Sequence, residues 1–272
     1  SGFIIPYSMY RRSYHLRDIG WFLSRRLKRL EPPYLACILV VIGLHYASML
    51  SPTFHGSPLA LGWARLLAHA GYVNALIGLP WLNPVFWTLA IEYYLFISVV
   101  FPLLASQNTV LRSCVPAILA IAACLGYDNQ ALLPHWLPLF AMGIALFQRQ
   151  AGLLTGRAFA VLLATITIAS GVWVGLVETL AGGFTCAAIM ACGGRQLPRW
   201  LSPLARVGTV SYSLYLLHLP VGGRVINLAR RLPMDAGYRY TAVVAAVLIS
   251  LAAAWLFWKV VERPAHKWAQ AS

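Results

Sequence analysis

The chain has 272 residues, of which 60% are hydrophobic and only 10% charged. A soluble domain carries about 25% charged residues, so water cannot be the solvent for most of a surface this large. The net charge of +14 would suit nucleic acid on a soluble fold. No stretch of this chain is polar enough to form such a fold, so the excess is read through the preference for Lys and Arg in cytoplasmic loops.

The first residues, Ser1-Gly2-Phe3-Ile4-Ile5, read as the tail of an earlier hydrophobic segment, and an N-terminally truncated chain is expected. A membrane-spanning helix needs about 20 apolar residues. Runs of suitable character fall at about 34–50, 84–105, 113–127, 133–147, 158–175, 176–193, 207–222 and 240–261. The expectation is therefore an all-α, polytopic transmembrane helix bundle with eight spans, forming one membrane domain over residues 1–272. The stretch 63–79 is amphipathic and broken by glycine, and is read as interfacial or re-entrant. Pro and Gly fall mostly at the span ends, where turns need them.

Charge sets the expected orientation. Seven basic residues, Arg11 to Arg29, precede the first span. With that side cytoplasmic, sixteen of the 21 Lys and Arg lie in cytoplasmic segments, among them Arg112, Arg149, Arg157, Arg195, Arg199, Arg206, Lys259, Arg263 and Lys267. Both ends are then cytoplasmic. The loop carrying Arg224, Arg230, Arg231 and Arg239 is the misfit, read as an anion-binding or a solvated face.

Ionisable side chains within a bilayer are costly and face a bundle interior or a wet cavity. Glu92 follows Thr88 by four residues, which on a continuous helix puts them on one face; it is read as an interhelical tether or a site carboxylate. His218 continues a stripe with Ser211 and Tyr215 at i, i+4 and i+7. A histidine there is a general base or a hydrogen-bonded packing residue. Arg26 and Arg29 share a helix face, and are read as phosphate ligands or topology anchors. Glu262, before Arg263-Pro264, is read as structural, pairing with a basic neighbour. The five cysteines, Cys37, Cys114, Cys124, Cys186 and Cys192, lie in or beside apolar runs and read as packing residues. No metal-ligand spacing, nucleophile elbow or phosphate-binding loop appears, and no metal site is expected.

Five runs in order, Ser1-Gly2-Phe3-Ile4-Ile5, 22–34 with Arg25-Arg26-Leu27-Lys28-Arg29, 83–92 with Pro84-Val85-Phe86-Trp87-Thr88, 211–218, and Glu262-Arg263-Pro264, resemble the acyltransferase-3 family of bacterial membrane O-acyltransferases. The resemblance implies a ten-helix domain in the cytoplasmic membrane, of which eight helices are present here. It implies transfer of an acyl group, often acetyl, from acyl-coenzyme A as co-substrate to a hydroxyl of a carbohydrate or lipid-linked glycan. Arg26 and Arg29 match the family's Arg-x-x-Arg motif, thought to act on the donor. The family's first-helix motif, a basic residue followed after ten residues by a catalytic histidine, has no match in this chain, and is expected upstream of Ser1. His218, Glu92 and Tyr215 are the catalytic candidates within it. The alternative is a transporter or exporter in which Glu92 and His218 relay protons; no repeat between halves supports it.

Overall fold

The computed structural model describes residues 2–51, 59, 61–105, 108–192, 202–231 and 236–271. It is 81% helical, with no strand among the described residues. Two compact units emerge, residues 1–22 with 91–197, and residues 23–90 with 198–272.

The first unit holds α1 (Ile4–Arg11), α4 (Ile91–Ala105), α5 (Thr109–Leu125), α6 (Leu133–Gln150), α7 (Gly156–Trp173) and α8 (Leu176–Cys192). Its centre is α6, which packs against α1, α5, α7 and α8. A helix apolar on every side belongs in the interior, and Ala141, Met142, Ile144, Ala145, Leu146 and Phe147 in succession are buried. Phe147 and Ile144 join Met9, Ile97, Phe101, Leu104 and Leu119 in one cluster. Met142, Ala145 and Leu146 join Phe159, Ile166 and Cys186 in another. A Cβ built on Gly143 would lie 2.9 Å from the Gly2 carbonyl carbon, so only glycine lets the two backbones touch. In lipid, with no hydrophobic drive between helices, small residues at such contacts let van der Waals packing hold the bundle.

The second unit holds most of α2 (Ile19–Met49), then α3 (Trp63–Ala70), a 3₁₀ segment Pro84–Leu89, α9 (Ser202–Thr209), α10 (Ser211–Leu217), α11 (Gly223–Ala229), α12 (Ala236–Phe257) and α13 (Arg263–Ala271). Two π-helical turns interrupt it, His218–Gly222 and Trp258–Glu262. The continuous helix formed by α10, the first π-turn and α11 packs along α12.

The outward faces are those of a protein solvated by lipid. On α8, Val177, Leu180 and Phe184 recur at helical spacing, and Phe184 is 77% exposed. On α12, Val243, Val244, Val247 and Leu248 are exposed likewise. Contiguous apolar surface of this extent is foreign to a soluble monomer. The expected all-α membrane bundle is what the chain forms. Three helical stretches, Ile19–Met49, Gly156–Trp173 and Gly237–Gln270, are long and apolar enough to cross a membrane, and Cys114–Leu125 and Leu176–Cys192 are shorter apolar helices.

Several expected spans differ in detail. The first begins fifteen residues before position 34, because Pro32 and Pro33 lie inside α2 without ending it. The span expected at 84–105 is two elements. Asn83 caps a 3₁₀ segment by accepting from the Val85 N–H, Pro84 starts it, and Ala90 turns extended at ψ 151° before α4 begins at Ile91. Thr88 and Glu92 therefore do not share a helix face, contrary to expectation. The span expected at 207–222 is broken at Val210 and again at the π-turn. The stretch 63–79 is one short helix followed by turns, too short to span. The loop with Arg195 and Arg199, and the side chains of Arg112 and Glu92, lie outside the described residues.

Replacing Gly143 by Ala should cost about 1–3 kcal/mol through overpacking against the Gly2–Phe3 backbone. Lowered midpoints in thermal or SDS-titration unfolding would record it, while the open position Gly171, with nothing within 4 Å of its Cβ, should tolerate the same change.

Candidate functional site

The site is built around a proline. Pro220 has no N–H to offer the Leu216 carbonyl one turn earlier, and its ring crowds it. The carbonyl accepts instead from Asn83 Nδ2 at 2.9 Å and from Cys37 Sγ at 3.4 Å. The helix widens into the π-turn His218–Gly222, a distortion frequent at functional sites. Arg224 Nη1 donates to the Pro220 carbonyl at 2.6 Å, and Arg224 Nε to Ser48 Oγ at 3.3 Å. Arg231 Nη1 reaches Ser51 Oγ at 3.4 Å. These two arginines of the misfit loop bridge to serines at the C-terminal end of α2, where the helix dipole favours cations, and Arg231 remains exposed.

His218 opens the π-turn. Its Nδ1 lies 2.8 Å from the Tyr215 carbonyl and 3.1 Å from the Leu214 carbonyl. Carbonyls only accept, so Nδ1 carries the proton and Nε2 keeps its lone pair. Among the described residues nothing hydrogen-bonds Nε2. The Tyr215 hydroxyl donates to the Val85 carbonyl at 2.5 Å and meets Thr88 Oγ1 at 2.5 Å. Tyr215 is thereby pinned to the 3₁₀ segment, with its proton already committed. Ser211, Tyr215 and His218, the stripe read from the sequence, line one cavity of about 590 Å³ between α10–α11 and α12. Ser250 adds a fourth polar wall from α12.

Glu262 is 5% exposed. Its Oε2 accepts from the Ser213 N–H at 3.1 Å and from the Ser213 hydroxyl. The expected structural role holds, but its described partners are a serine and a backbone amide rather than a basic side chain. An acid at the first turn of α10 meets the amide groups that lack intrahelical acceptors and the positive end of the dipole.

The arginine turn lies close by. The Tyr212 hydroxyl donates to the Leu30 carbonyl at 3.1 Å, so the start of α10 adjoins the residue that follows Arg29. Within the turn, Arg25 Nε donates to the Ala269 carbonyl at 3.0 Å, and the Lys28 ammonium sits 5.7 Å from the Trp268 ring centroid. Those two secure α13. Arg26 is half-buried and Arg29 exposed. Neither arginine lines the cavity beside His218. Glu92 belongs to the other unit.

His69 went unremarked in the sequence beyond its place in an amphipathic stretch, yet it is fully buried. Its Nδ1 lies 2.7 Å from the Arg65 carbonyl, while Nε2 accepts the Leu82 N–H at 3.0 Å. Asn74 lies 3.0 Å from Nδ1, and the His69 carbonyl accepts the Tyr34 hydroxyl at 3.2 Å. Both ring nitrogens are used by the neutral form alone, and burial holds the imidazole below its ordinary range. The ring fixes Leu82, and Leu82 precedes Asn83, the donor to Leu216. No one-residue signal marks such a knot; the density of Asn, His, Trp and Pro between positions 69 and 84 is its only trace in the sequence.

Among the described residues no group of three or more His, Cys, Asp or Glu side chains is arranged to hold a metal. No family model, curated protein or solved structure matches the chain. Fold and surface define an all-α membrane-embedded protein with a histidine-bearing cavity in its second unit.

The buried neutral His69 makes a pH prediction. Its folded pKa is depressed below the ordinary 6.5, so as pH falls through that value the unfolded chain binds a proton that the folded chain resists. Stability should be fully present above about pH 6.5 and decline below it. Unfolding midpoints between pH 8 and 5 should fall more steeply for the native chain than for His69→Gln, and equal slopes would refute the assignment.

Proposed function

We propose that the protein transfers an acyl group from acyl-coenzyme A to a hydroxyl of a carbohydrate or lipid-linked glycan, as a multi-pass protein of the bacterial cytoplasmic membrane with both ends in the cytoplasm. The observation that carries this reading is His218, whose Nδ1–H is locked on two backbone carbonyls while its Nε2 lone pair is unengaged beside a cavity. The ordered motifs shared with acyltransferase-3 proteins support it independently.

The resemblance expects a catalytic histidine upstream of Ser1; within the present chain the role falls to His218, whose Nε2 accepts the hydrogen bond of the acceptor hydroxyl, and then its proton as the oxygen attacks the thioester carbonyl carbon. The tetrahedral intermediate collapses, the carbon–sulfur bond breaks, and the coenzyme A thiolate takes the proton back from the imidazolium. The products are an ester and free coenzyme A, with His218 restored. The carbonyls of Leu214 and Tyr215 stabilise the imidazolium between these steps. Arg26 and Arg29 hold the donor's phosphates, and the Tyr212–Leu30 hydrogen bond supports their nearness to the Ser211 end of the cavity. Tyr215 acts as a wall and strut, because its hydroxyl proton is spent on Val85.

Replacing Arg26 and Arg29 together with Ala in the full-length protein should abolish O-acylation of the cell's glycans at unchanged protein level. His218→Gln should lower the turnover by about 10²–10⁴ through loss of proton transfer. Mass spectrometry of released glycans reads both, and acylation at the native level in either variant would reject the role assigned to those residues.

A further inference from the structure

The cavity is graded along its length. At one end stand Ser211, Tyr215 and His218; beyond His218 the walls are Gly222, Gly223 and Ile226 on one side and Val243, Ala246 and Val247 on the other, with Ser250 against Gly222 as the one polar group among them. From His218 to Ile226 the helical rise is about 12 Å. Polar at the arginine-turn end and apolar at the other, the groove has the profile of a linear amphiphile. A pocket that is mostly apolar with a few convergent polar groups is the usual form of a ligand site.

The two glycines shape the apolar half in different ways. A Cβ on Gly222 would lie 2.8 Å from Ser250 Oγ, so this glycine sets the close approach of the π-turn to α12. A Cβ on Gly223 would meet nothing within 4 Å, so this glycine leaves the groove open. Gly223 has φ −60° and ψ −35°, ordinary helix, where glycine is about 0.8–1.0 kcal/mol worse than alanine.

We infer that the groove beyond His218 holds a single aliphatic chain, with the polar head of that molecule at Ser211 and His218. Resting on the acyl-transfer reading, the chain is the acyl group of the donor. Phosphates sit at the arginine turn, the thioester at His218 and the hydrocarbon along Gly222, Gly223 and Ile226. An acetyl group would leave this length empty, so the donor class is a thioester of a medium-length fatty acid.

The test uses the full-length protein in nanodiscs and a medium-chain fatty acid carrying a terminal photoreactive diazirine. Mapped cross-links should concentrate on 219–226 and on Val243, Ala246, Val247 and Ser250, fall several-fold in Gly223→Leu, and stay unchanged in Gly183→Leu, a position in the other unit that is equally open at its Cβ. Competition by decanoyl-coenzyme A but not by acetyl-coenzyme A supports both the chain site and the donor assignment. Competition by decyl phosphate alone keeps the chain site and removes acyl donors from it. Cross-links spread over α8 and over Val244 and Leu248 of α12, which do not line the groove, and indifferent to Gly223→Leu, overturn the inference whatever the protein's activity.

Discussion

The second unit is organised around one carbonyl oxygen. Leu216 loses its helical donor to Pro220, and a buried carbonyl without a partner costs about 1–3 kcal/mol in protein and more in hydrocarbon. Asn83 and Cys37 supply that partner from two other segments. Asn83 is itself held in place because the neighbouring Leu82 amide is fixed on His69, and His69 is fixed on the Arg65 carbonyl. Disturbing any member of this series reaches the π-turn and therefore the orientation of His218. The irregular 62–90 region thus acts as scaffold for the π-bulged helix, although it contributes no side chain to the cavity wall.

A second constraint is the solvent. In the first unit α6 is buried almost all round, while α7 and α8 turn valine, leucine and phenylalanine outward. The inside is not distinguished from the outside by hydrophobicity, as it would be in water. What distinguishes it is size and polarity: Gly2 against Gly143, Ser170 with Thr179, and the buried Gln148 are interior.

Much of this was legible from composition and periodicity. Low charge and long apolar runs gave the helical membrane class, and α6, α7 and α8 begin and end within three residues of the runs that marked them. The Ser211–Tyr215–His218 stripe was legible because helical spacing alone puts those residues on one face, and one cavity gathers them. Thr88 and Glu92 misled because spacing presupposes a continuous helix, and the Asn83–Pro84 start closes a separate 3₁₀ segment before α4 begins. Glu262 was read as a charge seeking an opposite charge, and Arg224 as part of an anion-binding or a solvated face. Each instead serves backbone at a helix end or bulge, a demand invisible until the breaks in the helices are known. His69 was illegible for a related reason: its partners are mostly main-chain atoms, which every sequence possesses.

The ties between Arg224 and Ser48, and between Arg231 and Ser51, join positions 176 and 180 residues apart. Ribosomes add about 5–20 residues each second, so the far end of α2 waits roughly 10–35 s for its arginine partners to be made. During that interval the Ser48 and Ser51 hydroxyls must be served by water or headgroups at the membrane surface. Assembly of the second unit is consequently a late event, gated by translation of the C-terminal third, and the insertion machinery must keep α2 accessible until then.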